Sequence, residues 1–184
     1  MTTTALLRDG SKVTIRAASA WDEPALRSFL ANMSPESRRL RFFTGAADIS
    51  CAAHLAMAVG AGHYGLMAHD QDGVPVAHAI YMRLDQTRAE VAVEVADHLH
   101  GQGLGTLLIQ RLAARAETHG ITTFVAEVLP ENHAMLDVFH HGFDAHSSFR
   151  EGIDRVEFPT AAWRLAQGRF VPNRAGTGAG PLAE

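Results

Sequence analysis

Between residues 89 and 119 a β-branched run, a turn with three glycines and a long amphipathic stretch follow one another without a break. This order constrains the fold more than any other part of the chain. Ala89–Ala96 reads as a strand and Leu104–His119 as a helix, closed by Gly120. Glycines at 101, 103 and 105 strip the turn of side chains, so backbone N–H groups can converge on an anion with the positive end of the helix dipole behind them. A second strand, Ile121–Val128, follows the helix. Two strands joined by a crossover helix run parallel, which makes this an α/β domain with a mixed sheet.

The flanking segments add further elements. Lys12–Ala17 alternates like a strand, while residues 1–10 read as a frayed lead-in. Ser19 caps a helix running to about Met33, and Ser34-Pro35 opens a second helix, Pro35–Phe43, with proline at its favoured first position. Ser50–Val59 is an alanine-rich third helix. Tyr64–His69 and Val74–Leu84 are strands joined across Gln71-Asp72-Gly73. Asn132–His140 is a helix, and Phe143–Phe149 with Arg155–Phe158 form a closing hairpin. The domain is expected to span 1–166, and the Gly/Pro/Ala-rich stretch 167–184 reads as a disordered tail.

Composition narrows the function classes. The 184 residues carry a net charge of −4, which argues against non-specific nucleic-acid binding and against an anionic membrane surface. No run is long and apolar enough for a membrane span or a leader, so a soluble cytoplasmic protein is expected. The single cysteine, Cys51, excludes an internal disulfide and reads as a small buried hydrophobe. Lys12 is the only lysine.

Two common phosphate-binding patterns fail on spacing. A dinucleotide fingerprint needs glycine at the sixth place, which here is Thr106 or Leu108 according to frame. A P-loop needs Gly-Lys-Ser/Thr, and this turn has no lysine. The histidines suggest a metal at His98-x-His100 or His140-His141. Neither pair has a cysteine or acidic partner at ligand spacing, apart from Asp97 beside His98, so no metal site is expected.

What the turn does resemble is the acyl-CoA pyrophosphate loop of the GNAT superfamily of N-acetyltransferases, Q/R-x-x-G-x-G/A. Here His100-Gly101-Gln102-Gly103-Leu104-Gly105 fills that pattern, with His100 where Gln or Arg is usual. Pro130-Glu131-Asn132, Ala134-Met135-Leu136, Val138-Phe139 and Gly142-Phe143 resemble the second CoA-side motif of the superfamily. Ser34–Phe43 (SPESRRLRFF), with VEVA at 93–96 and AEVLPENHAML at 126–136, is similar to the catalytic domain of Pat-type bacterial protein lysine acetyltransferases.

The resemblance implies a GNAT fold: a mostly antiparallel mixed sheet whose parallel strand pair splays around the CoA site, with flanking helices. It implies acetyl-CoA as co-substrate, held by Val93, Val95, His100, Gly101, Gln102, Gly103, Leu104, Gly105, Thr106, Asn132 and Phe139. Acetyl would pass directly to a primary amine, by preference that of a protein lysine. A small-molecule amine acceptor is one alternative, and an inactive acyl-CoA-binding sensor is the other. The reading leaves homodimerisation open.

Amine attack needs a base, because a lysine amine of pKa about 10.4 lies about 4.6 kcal/mol from its neutral form at pH 7. Alternation places Val91, Val93 and Val95 on one strand face and Glu90, Ala92 and Glu94 on the other. An acidic face on a central strand implies a cleft, so Glu90 is the first choice for the base and Glu94 the second. Backbone N–H groups around Val93–Val95, aided by a bulge, would serve the thioester oxygen. Phe139 stands where many relatives carry a tyrosine acid, leaving water or His140 for the thiolate. Glu127 is expected in a salt bridge to an arginine, and Arg38, Arg39 and Arg41 on a solvated helix face.

Overall fold

The structure is a computed structural model and describes residues 2–44, 47–57 and 62–164. Among these, eight strands form a single sheet in the order β1-β2-β3-β4-β5-β6-β8-β7. The strands are β1 (Thr3–Leu6), β2 (Lys12–Ala17), β3 (His63–His69), β4 (Pro75–Arg83), β5 (Arg88–Val95), β6 (Thr123–Val128), β7 (His146–Arg150) and β8 (Ile153–Pro159). The helices are α1 (Glu23–Asn32), α2 (Pro35–Phe42), α3 (Ile49–Met57), α4 (Leu104–Glu117) and α5 (His133–Phe143). Every strand pair is antiparallel except β5–β6, which the crossover helix α4 makes parallel.

Each face of the sheet carries its own core. On one side Leu104, Leu108 and Leu112 of α4 and Phe139 and Phe143 of α5 pack with Val91, Phe124 and Phe158. On the other, Leu26 and Leu30 of α1 meet Ala53 and Met57 of α3 over Met67. The alternation of β5 follows from this, since its valines serve the first core. No helix among the described residues is long and apolar enough to cross a membrane.

Three expectations need correction. Residues 3–6 are not frayed: they pair with β2 from Thr3↔Ile15 to Leu6↔Lys12, and Leu7 is buried beyond them. Four residues are too few for alternation to show, and the hydrogen-bonding partner comes from outside the segment. Phe143 belongs to α5 rather than to the next strand. Its helical spacing from Phe139 puts both rings on Phe158, at 5.2 and 5.1 Å between centroids. Asp144 then takes the left-handed cap, φ 53°, and β7 starts at His146. Cys51 is exposed instead of buried; Ala53 and Met57 are the residues α3 turns inward. The expected tail at 167–184 lies outside the described residues.

Candidate active site

β5 and β6 part company early. Their pairing runs from Arg88↔Thr123 to Glu90↔Val125 and stops. The β4–β5 register, in contrast, is unbroken from Ala89 to Val95, so the opening arises from divergence of β6 and not from a bulge in β5. At one end Leu84 N–H donates to Arg88 O (2.9 Å) and at the other Ala96 N–H donates to Val76 O (2.8 Å). With that phase the even-numbered residues of β5 bond to β4, and the peptide groups of Val91, Val93 and Val95 point into the gap. The gap widens into a cleft of about 610 Å³ walled by α2, β5, β6, α5 and the glycine turn.

At one end of the cleft lies the turn. Gly101 (φ 74°) and Gly103 (φ 86°) both occupy the left-handed region, where a side chain is strained. Gly103 is the N-cap of α4 and no side chain caps it, so the first-turn amides of Leu104, Gly105 and Thr106 keep no intrahelical acceptor. All three residues line the cleft. An anion nest followed by a helix dipole is what a pyrophosphate needs. The Gln102 backbone N–H donates to Leu99 O at 3.4 Å. The His100 ring is turned inward, and its Nε2–H donates to Val95 O at 2.9 Å.

The sequence ranks Glu90 ahead of Glu94 on one acidic face of β5, and the fold sets the two in different surroundings. Glu90 is half-buried and lines the cleft, and its carboxylate has no ion-pair or hydrogen-bond partner among the described residues. Glu94 is buried at 4% exposure. Its Oε1 meets Arg41 Nε at 2.5 Å and its Oε2 accepts from His78 Nδ1 at 3.0 Å. Burial alone would raise this carboxyl, but the charges of Arg41 and His78 outweigh that and hold it at about 2. So firmly ionised a carboxylate has little affinity for a proton. Glu90 is the better placed of the two to accept one.

Three carboxylates fix α2 over the cleft. Asp97 accepts from the Ser34 backbone N–H (3.0 Å), the Ser34 hydroxyl (3.1 Å) and the Ser37 hydroxyl. Glu131 accepts from Arg39 at 2.6 Å, and Glu94 holds Arg41. Arg39 and Arg41 are therefore tethers between elements and not members of a solvated face, which corrects the earlier expectation. The helix stops at Phe43, whose left-handed backbone (φ 61°) brings its ring to the cleft wall. Glu127 also lines the cleft, but it forms no salt bridge among the described residues: Arg155, opposite it on β8, pairs with Glu157 at 3.0 Å.

On the far wall Asn132 caps α5, its Oδ1 accepting from Met135 N–H at 3.2 Å. Phe139 is buried, with no hydroxyl to offer. His140 Nδ1 donates to Ala145 O, and its Nε2 meets the Ser147 hydroxyl, both at 3.0 Å. It is not among the residues of the cleft wall, whereas His141 is. Among the described residues no group of three or more His, Cys, Asp or Glu could hold a metal ion.

The comparisons agree with this geometry. The acetyltransferase (GNAT) family model matches residues 30–143, more than half of the chain. This chain belongs to the GNAT family. It is similar to the GNAT domain of S. lividans PAT, with 32% identity and a TM-score of 0.77 over 86% of this chain and 96% of that one. It shares its fold with a cAMP-binding acyltransferase from Mycobacterium smegmatis (23% identity, TM-score 0.62), covering 87% of this chain and 47% of that one. It also shares its fold with spermidine N-acetyltransferase from Vibrio cholerae, solved with CoA and spermine. There identity is 14% and TM-score 0.62, over 83% of this chain and 98% of that one.

As a GNAT acetyltransferase the chain uses acetyl-CoA, and the residues present fit it: two left-handed glycines, an uncapped helix start and a splayed strand pair. One cleft residue escaped the sequence reading altogether. Arg8, in the β1–β2 turn, donates Nη1 to Gly101 O at 3.0 Å. Its segment carries no motif, and the two residues are 93 positions apart.

Proposed function

We propose that this GNAT enzyme acetylates the side-chain amines of protein lysines by direct transfer from acetyl-CoA. The observation that carries the transfer reading is the Glu90 carboxylate, without a partner among the described residues, where β5 and β6 separate. Acetyl-CoA supplies an activated acetyl group as a thioester. The chain's own residues do the rest. Glu90 takes the proton from the incoming ammonium, directly or through one water. The Val93 and Val95 N–H groups, aimed into the gap, present donors for charge developing on the carbonyl oxygen. Water takes the remaining role of proton donor to the thiolate, since Phe139 has none to give and His140 is engaged elsewhere.

The lysine acceptor rests on likeness to S. lividans PAT across nearly that whole domain. The spermidine enzyme's likeness reaches the fold alone. Labelled acetyl-CoA, this protein and a cell lysate, followed by mass-spectrometric mapping, test the assignment. Acetyl-lysines that vanish with Glu90→Gln support it. Turnover confined to small amines would transfer the assignment to that class.

A further inference from the structure

The phosphate end of the cleft lacks an obvious countercharge. Coenzyme A brings a pyrophosphate, yet residues 100–106 contain no lysine or arginine. Four basic side chains line the cleft: Arg8, Arg41, His100 and His141. Arg41 is paired with Glu94, His100 with the Val95 carbonyl, and His141 lies 3.6 Å from Asp137. Of the two arginines, Arg8 alone sits on the glycine turn and has no carboxylate partner among the described residues.

Its attachment is double. The guanidinium donates Nη1 to Gly101 O at 3.0 Å, and the backbone N–H of Arg8 reaches Gln102 O at 3.3 Å. A guanidinium has five N–H donors in a planar fork, so one bond to a carbonyl orients it and leaves other donors for an anion. The carbonyl it grips belongs to the first left-handed glycine of the nest. We infer that Arg8 is a cofactor-binding residue: it supplies the cation for the pyrophosphate of coenzyme A, and the β1–β2 hairpin is part of the cofactor site. This rests on the acetyl-CoA reading above. It gives the strand pairing of residues 3–6 a function, because that pairing sets the hairpin beside the turn.

Calorimetric titration of the parent protein, Arg8→Gln and Arg8→Lys with coenzyme A and with dephospho-coenzyme A, which lacks the 3′-phosphate, tests this. Arg8→Gln retains a donor for Gly101 O but loses the charge. It is expected to weaken both ligands equally, by roughly tenfold or more, with Arg8→Lys between it and the parent. Added KCl should weaken the parent more steeply than Arg8→Gln. An unchanged thermal midpoint of ligand-free Arg8→Gln shows that the hairpin is intact, and Arg8→Lys carries the comparison if it is not. Parent-like affinity in both variants overturns the inference and leaves the acetyl-CoA reading standing. Loss confined to coenzyme A, with dephospho-coenzyme A unaffected, overturns the pyrophosphate assignment. A parent protein that binds neither ligand removes both.

Discussion

Arg41 and Glu94 form an ion pair, Nε to Oε1 at 2.5 Å, between α2 and the middle of the sheet. The pair gives two glutamates of one strand face opposite chemistry. Glu94 is ion-paired and buried; Glu90, four positions earlier and on the same face, is left with no partner among the described residues. The Arg41 guanidinium also lies over the Phe42 ring, 5.0 Å from its centroid.

Glu94→Gln should destabilise the fold by about 3–5 kcal/mol, because it removes one partner of a buried pair and leaves Arg41 and His78 facing an amide. Urea unfolding measures this. A loss below about 1 kcal/mol would show that the pair contributes little.

The same carboxyl gives a signed pH dependence. Its folded value of about 2 lies below the unfolded 4.5, so the stability it contributes, about 3 kcal/mol, is fully present above pH 4.5. That stability is lost as pH falls from 4.5 toward 2. Glu94→Gln should flatten the urea midpoint across this window relative to the parent.

Glu90→Gln should retain coenzyme A affinity while lowering kcat by roughly 10²–10⁴. Calorimetry and a turnover assay on the same preparation check both halves. Unchanged turnover would remove Glu90 from the mechanism.

Gly105 separates steric access from backbone strain. Its φ is ordinary and an added Cβ would lie 3.8 Å from Val95 Cγ2, an ordinary contact, whereas Gly103 at φ 86° tolerates no side chain without strain. Gly105→Ala should therefore keep or gain up to about 1 kcal/mol of stability. The loop pattern admits alanine at this place, so coenzyme A affinity should be unchanged, whereas Gly103→Ala should lower it by roughly tenfold by straining the nest. Normal affinity in Gly103→Ala would place the cofactor away from the turn.

Asp97→Ala should loosen α2, since one carboxylate accepts three hydrogen bonds from Ser34 and Ser37. Amide exchange in Pro35–Phe42 should quicken by roughly tenfold, while α4 is unaffected. Unaltered protection of α2 would show that Arg39 and Arg41 hold it without help.

Local chemistry in the chain wrote the strand–turn–helix unit, the parallel pair, the starts of α2 at Ser34-Pro35 and of α5 at Asn132, and the paired acidic positions at 90 and 94. Each of these depends on residues within a few positions of one another, through cap preferences, glycine conformation and side-chain alternation. Only the folded sheet decided which glutamate keeps its charge free. It set Arg41 on Glu94 across 53 positions and Arg8 on Gly101 across 93, left Glu127 without Arg155, and ended the β5–β6 pairing at Glu90. Ion pairs form between whichever groups the packing makes neighbours, and no periodicity along the chain encodes those encounters.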